Sequence, residues 1–235
     1  YILVNGIPNL TTDLFSLHYN SKNQSMLPSI FNTVFITFLT LLIAVPIGIF
    51  SAVYLVEYAK KGSKLVKVIR VTTETLAGIP SIVFGLFGFL AFVIALGWGY
   101  SMIAGVLTLV MMVLPTIIRT TEEALLAVPN SYREGSFGLG AGKIRTIFKI
   151  IVPTAIPGIL SGVILAIGRI VGETAALIYT SGTVAETATS LTDSARTLSV
   201  HLYCLLSEGL FTNQAYATAV ILLLPVSYTH LTLPT

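Results

Sequence analysis

Charged side chains are what this sequence has least of: Asp, Glu, Lys and Arg make up 10% of its 235 residues, against 54% hydrophobic residues. With a mean hydropathy of +0.89, the chain has too little polar surface to coat a soluble domain of that length, which places it in a bilayer. Cysteine occurs once, at Cys204, so an internal disulfide is excluded and the residue reads as a small apolar filler. His18 and His201 stand far apart with no carboxylate or cysteine at ligand spacing, and no metal site is expected. No G-x4-GK[ST] loop is present, and the GxGxG of Gly138, Gly140 and Gly142 follows no strand, so neither a nucleotide cradle nor another cofactor is expected. A Ser/His/Asp arrangement is also missing, which argues against an enzyme.

The charge that is present is sorted. Ten of the thirteen Lys and Arg fall in two loops, one with Lys60, Lys61, Lys64, Lys67 and Arg70, the other with Arg119, Arg133, Lys143, Arg145 and Lys149. By the positive-inside rule both loops face the cytoplasm. Apolar spans bracket both clusters, so lipid rather than nucleic acid is the neighbour expected.

Hydropathy predicts an all-α polytopic bundle. Residues 29–56 form the first full span, kinked rather than ended by Pro46 and Gly48; residues 75–96 return outward past Pro80, Gly85 and Gly88. Residues 102–118 come back inward with Pro115, residues 154–179 cross outward, and the acid-leaning stretch 180–213 lies outside. A last span begins at 214. Prolines 46, 80, 115, 153 and 157 within or beside spans suit a transport bundle, where neighbours or a cavity re-satisfy the broken backbone; equally, proline is common in membrane helices. Residues 1–28 read as the outer end of a first helix plus an external segment, and 29–224 as the permease domain. Residues 225–235 resemble the in-frame translation of a transposase sequencing adapter and are set aside from fold and function. Five spans are visible and six are expected of the intact protein.

Between the third and fourth spans, within residues 119–153, Glu134, Gly140, Ile150 and Pro153 stand at the offsets E-x5-G-x9-I-x2-P. This spacing resembles the EAA loop of ABC-importer membrane subunits, with Gly135 and Ser136 in place of the two alanines; both are small, so close helix packing should be kept. The resemblance implies a coupling element of two short helices around Gly140, with Arg145 beside Glu134 at the surface of a separate ATPase. Glu122 and Glu123 are expected to solvate a helix start near that ATPase.

In GILSGVILAIGRIVGETAAL, a continuous helix would place Gly158, Gly162, Ala166, Arg169, Glu173 and Ala176 within an arc of roughly 80°. Small residues at four-residue spacing allow another helix to approach closely, and a midplane Arg169 needs a partner, for which Glu173 one turn on is the candidate. Two readings stay open: a pair that locks helices, or an anion relay in which the guanidinium fork meets a tetrahedral oxyanion along an interface with a partner permease. Glu74 reads either as part of an inner gate or as a helix N-terminal acid.

ETLAGIPSIVFGLFG (residues 74–88) together with AIGRIVGETAAL (residues 166–177) resembles the phosphate-importer permease family, in particular its A-type (PstA) subunits. The resemblance implies a bacterial inner-membrane heterodimer with a C-type permease, two ATP-binding cassette subunits, and an external phosphate-binding protein. It also implies a translocation pathway that includes Glu74, Pro80, Ser81, Arg169 and Glu173. The rival readings are a permease for another oxyanion such as molybdate or sulfate, which would lack this motif pair, and a secondary transporter, which would show internal repeats.

Overall fold

The computed structural model describes residues 1–20, 22–60 and 62–231; Lys61 of the first basic loop and residues 232–235 of the adapter-like tail lie outside the described residues. Among the described residues every regular element is helical. A short α1 (Ile2–Gly6) and two 3-10 turns lead to α2 (Leu27–Val53), which continues through a π-helical turn, Tyr54–Tyr58. Pro46 lies inside α2 without ending it, as the span length requires.

The expected span 75–96 is corrected. α3 (Lys64–Ala77) stops before Gly78, and α4 (Ser81–Gly88), extended by a π-helical stretch Phe89–Ala95, leaves at 102° to it. Pro80 supplies no N–H and drives Ile79 out of the α region, so the chain must turn there. α5 (Met102–Ala127) instead overruns its expected end at Ile118. Its extra turns bury Thr121 and Leu125 and carry two side-chain pairs, Arg119 to Glu123 at 3.0 Å and Arg70 of α3 to Glu122 at 2.5 Å. Glu122 and Glu123 therefore sit near the end of a helix, not at its start.

α6 (Asn130–Gly138) and α7 (Lys143–Thr146) follow, and a π-helical turn Ile147–Ile151 joins α7 to α8 (Val152–Gly172). The expected helix 154–179 is broken: Glu173 is extended, and a separate α9 (Ala175–Thr180) begins beyond it. α10 (Leu198–Glu208) ends at Gly209, whose φ of +68° closes the helix in a left-handed conformation. α11 (Thr212–Leu231) carries the short apolar run of the last span and continues through Pro225 into the tail.

Among the described residues three helices are long and apolar enough to cross a membrane: Leu27–Tyr58, Met102–Ala127 and Lys143–Gly172; the bent pair Lys64–Ala77 and Ser81–Ala95 makes a fourth if it is one span. α5 is the central one, with 67% of its most apolar window buried against 28% for each of the other two. Lipid tails are as apolar as leucine, so these helices are held by close contact rather than by escape from water. Small residues set that contact: Gly48 of α2 receives Ile117 of α5, Gly162 of α8 receives Thr120 of α5, and Gly85 of α4 meets the backbone of α9.

Candidate coupling and translocation site

The short helices α6 and α7 project from the ends of α5 and α8, joined by a turn whose geometry explains the spacing of Glu134 and Gly140. The Gly140 N–H bonds the Phe137 carbonyl at 2.9 Å and the Ala141 N–H bonds the Ser136 carbonyl at 3.1 Å, the hydrogen-bond pair of a Schellman end. Gly140 holds φ +80°, where a Cβ is strained. Ser136 is buried and its hydroxyl lies 2.8 Å from that of Thr146, tying α6 to α7. Gly135 does not share this role, because a Cβ there would meet open space. Of the two small residues expected to permit close packing, only Ser136 faces a neighbour.

Glu134, Lys143 and Arg145 are exposed, as are the apolar side chains of Phe137, Leu139, Ile144 and Phe148, with Leu139 at 92%. Ile150 is half-buried against the cluster of Ala52, Leu125, Ile147 and Ile151, and Pro153 starts α8 beside it. The hairpin thus exposes apolar side chains among charges.

Arg133, which the sequence marked only as one basic residue among many, is the hub of this element. Its Nε and one terminal nitrogen donate to Glu57 Oε1 at 3.0 and 2.7 Å, on the π-helical turn that continues α2. The same terminal nitrogen also donates to the Leu125 carbonyl at 3.1 Å, and the other to the Val128 carbonyl at 2.9 Å, at the end of α5. A cation on those last carbonyls also suits the negative end of the helix dipole. Lys143 adds a second tie, its ammonium 4.7 Å from the centre of the Tyr58 ring. The signal in the sequence was Glu57, an isolated acid just past an apolar span.

The second candidate group does not assemble as the helical wheel suggested. Arg169 and Glu173 form no ion pair, because α8 ends between them. Arg169, half-buried, lies in the last turn of α8, where a cation complements the dipole. Glu173 is buried and caps the next helix: its Oε1 accepts the Ala176 N–H at 3.1 Å and its carbonyl accepts the Ser199 hydroxyl at 2.5 Å. The small-residue face of α8 is taken up within the chain, by Thr120 and Ala124 of α5 at Gly162 and Gly158, not left for a second subunit.

Pro80 and Ser81 mark the elbow between α3 and α4, Pro80 exposed and Ser81 half-buried. Glu74 is exposed in the last turn of α3, which overturns its reading as a helix N-terminal acid. Beside the elbow lies an apolar cavity of about 380 Å³, whose walls include Leu76, Ile79, Phe84, Met111 and Pro115. At the far end of the bundle the segment between α9 and α10 caps α5: the Met102 and Ile103 N–H groups bond the Asp193 and Leu191 carbonyls at 2.8 and 2.9 Å. Asp193 in turn accepts from the Ser190 N–H and from Thr189, which holds its carboxyl below the usual range. His201 on α10 is pushed down to about 4, first by burial and then by the nearby Arg196 guanidinium.

Residues 44–231 match the model of the binding-protein-dependent transport system inner membrane component. The chain belongs to that family. The matched region runs from the middle of α2 through the coupling element to the last helix, and with three or four helices able to cross a bilayer it is a multi-pass inner-membrane protein. The chain is 39% identical to the probable ABC transporter permease protein YqgI of Bacillus subtilis, over 77% of its own length and 62% of that protein's. It is 45% identical to the phosphate transport system permease protein PstA 1 of Mycobacterium tuberculosis, over 60% of the chain and 45% of that protein. It thus spans less than two thirds of the length of these relatives. The fold is that of the MetNI methionine ABC transporter in an inward-facing conformation, with a TM-score of 0.63 at 19% identity over 98% of this chain and 92% of that one. A bacterial ABC transporter involved in import of the polysaccharide alginate gives 0.68 at 17% identity, over 97% and 85%.

Proposed function

We propose that this chain is a membrane-spanning subunit of an ATP-driven phosphate importer. In this reading it pairs with a C-type permease to form the pathway, receives phosphate from an external binding protein, and is driven by two ATPase subunits that grip α6 and α7. The observation that carries the reading is the helical hairpin at Gly140. It presents Glu134, Arg145 and exposed apolar side chains beyond the cytoplasmic ends of α5 and α8, while its root is fixed by Arg133 and Ser136. The phosphate assignment draws on the two sequence motifs and on relatives named as phosphate permeases. Catalysis of ATP hydrolysis is left to the partners, in keeping with the missing nucleotide loop.

On the pathway, Arg169 is the residue proposed to meet the anion: it is half-buried in α8 and has no acidic partner among the described residues. Glu74, Pro80 and Ser81 are proposed to line the inner side at the α3–α4 elbow. The test is Gly140→Val in the full-length permease, reconstituted with its partners. A Cβ-branched residue at φ +80° is strained and should distort the hairpin. ATP hydrolysis stimulated by phosphate-loaded binding protein should fall by about tenfold or more, the rate equivalent of 1.4 kcal/mol. Unchanged stimulation in a normally assembled complex would sink the coupling assignment.

A further inference from the structure

We propose that Arg133 is a positioning residue that locks the ATPase-docking hairpin to α2, so that α6, the end of α2 and the end of α5 move as one body. This rests on the coupling function argued above. The guanidinium bonds all three elements at once, through Glu57 on α2, the Leu125 carbonyl of α5, the Val128 carbonyl just beyond it, and its own backbone on α6. Both charged partners are largely withdrawn from solvent, Arg133 at 17% exposure and Glu57 at 11%. A pair so placed is rigid, and removing either member strands the other charge in a poorly hydrated site. Lysine cannot replace the arginine, because one ammonium lacks the planar fork that reaches a carboxylate and two carbonyls together.

What α2 touches at its other end gives the lock its consequence. The Asn32 side chain, 1% exposed, donates to the Glu186 and Arg196 carbonyls at 3.0 and 3.2 Å and accepts the Ala188 N–H at 3.0 Å. The neighbouring Thr33 hydroxyl accepts the Leu198 N–H at 2.8 Å, at the start of α10. α2 is therefore one strut with a cytoplasmic clamp at Glu57 and an external clamp at Asn32 and Thr33. Midway it is seated on α5, where Gly48 receives Ile117. Movement of the hairpin has a continuous covalent and hydrogen-bonded route to the segment 186–198 on the outer side.

The experiment uses the full-length permease assembled with its partner permease and ATPase subunits in lipid nanodiscs, with purified phosphate-binding protein. Arg133→Lys and Glu57→Gln should each lower binding-protein-stimulated ATP hydrolysis by about tenfold, while the ATPase still co-purifies. The swapped pair Arg133→Glu with Glu57→Arg should recover stimulation to within about threefold of wild type, short of full recovery because the α5 carbonyls lose their donor. Full stimulation in Arg133→Lys, loss of ATPase co-purification in that variant, or a swap no better than the single changes would each overturn the proposal. Amide hydrogen exchange of residues 130–138 in the same nucleotide-free complexes is the second readout, and exchange about tenfold faster in Glu57→Gln is expected. If the wild-type complex shows no stimulation, the importer reading fails, and the exchange measurement decides the lock by itself: equal protection in wild type and both single variants overturns it.

Discussion

Arg169 and Glu173 show how one break in a helix reassigns two charges. Four residues apart on a continuous helix they would face each other; with α8 ending at Gly172, each serves a different helix end. Glu173 acts as a side-chain acceptor for the first turn of α9, a contact of the N-cap type worth about 1 kcal/mol when removed. Glu173→Gln retains an acceptor oxygen and should be tolerated, whereas Glu173→Ala should lower stability by roughly that amount. A double-mutant cycle between Arg169→Met and Glu173→Gln, read by thermal unfolding of the purified full-length permease, should give a coupling energy under about 0.5 kcal/mol. A coupling above about 1 kcal/mol would restore the ion pair. Phosphate uptake separates the roles further: Arg169→Lys should slow transport while leaving assembly intact, because it keeps the charge at the helix end but loses the fork.

Among the elements, α4 and α9 depend on each other. α9 has only six residues and is held in place by its packing on its neighbours. The α4–α9 contact is backbone to backbone: a Cβ added to Gly85 would lie 2.8 Å from the Ala176 Cα and 3.2 Å from the Ala175 carbonyl oxygen. One turn on, Gly88 sits against Thr108 of α5 and Thr180 of α9. Neither neighbour at Gly85 is the tip of a flexible side chain, so the helices must separate to admit a larger residue. Gly85→Val should cost at least about 1–3 kcal/mol and lower the midpoint of thermal unfolding; an unchanged midpoint would show that this interface is looser than drawn. The sequence signalled this pair by its lack of bulk, but not which helix would fill the space.

For the whole molecule, the arrangement of charge and span predicts orientation. The hairpin at 130–146 and the basic helix α3 should be cytoplasmic, and the segment between α9 and α10 external. Single cysteines at Ser63 and Ser190, placed in a Cys204→Ser background of the full-length protein, test this with an impermeant thiol reagent on intact cells. Ser190 is exposed and should label, whereas Ser63, at the start of α3, should not. Labelling at Ser63 alone would invert the topology.

Composition and the two basic loops were enough to determine a helical membrane protein, because these properties depend on local or additive physics, while the importer-permease kind was legible only as a resemblance carried by the E-x5-G-x9-I-x2-P spacing. Hydrophobicity sums along the chain, positive charge resists crossing, and a left-handed turn asks for glycine at Gly140 whatever surrounds it. Helix ends were less legible. α5 outruns its apolar stretch where Leu125 is buried and Arg70 of α3 pairs with Glu122, and α8 stops inside an apolar run where the Ser199 hydroxyl and the Ala176 N–H both donate to Glu173 from other elements. The Arg133 hub and the Asn32 clamp join residues 76 and more than 150 positions apart, so no spacing along the chain could announce them. Only tertiary packing brings those partners within hydrogen-bond reach, and only there does a buried charge or amide have to be satisfied by one particular neighbour.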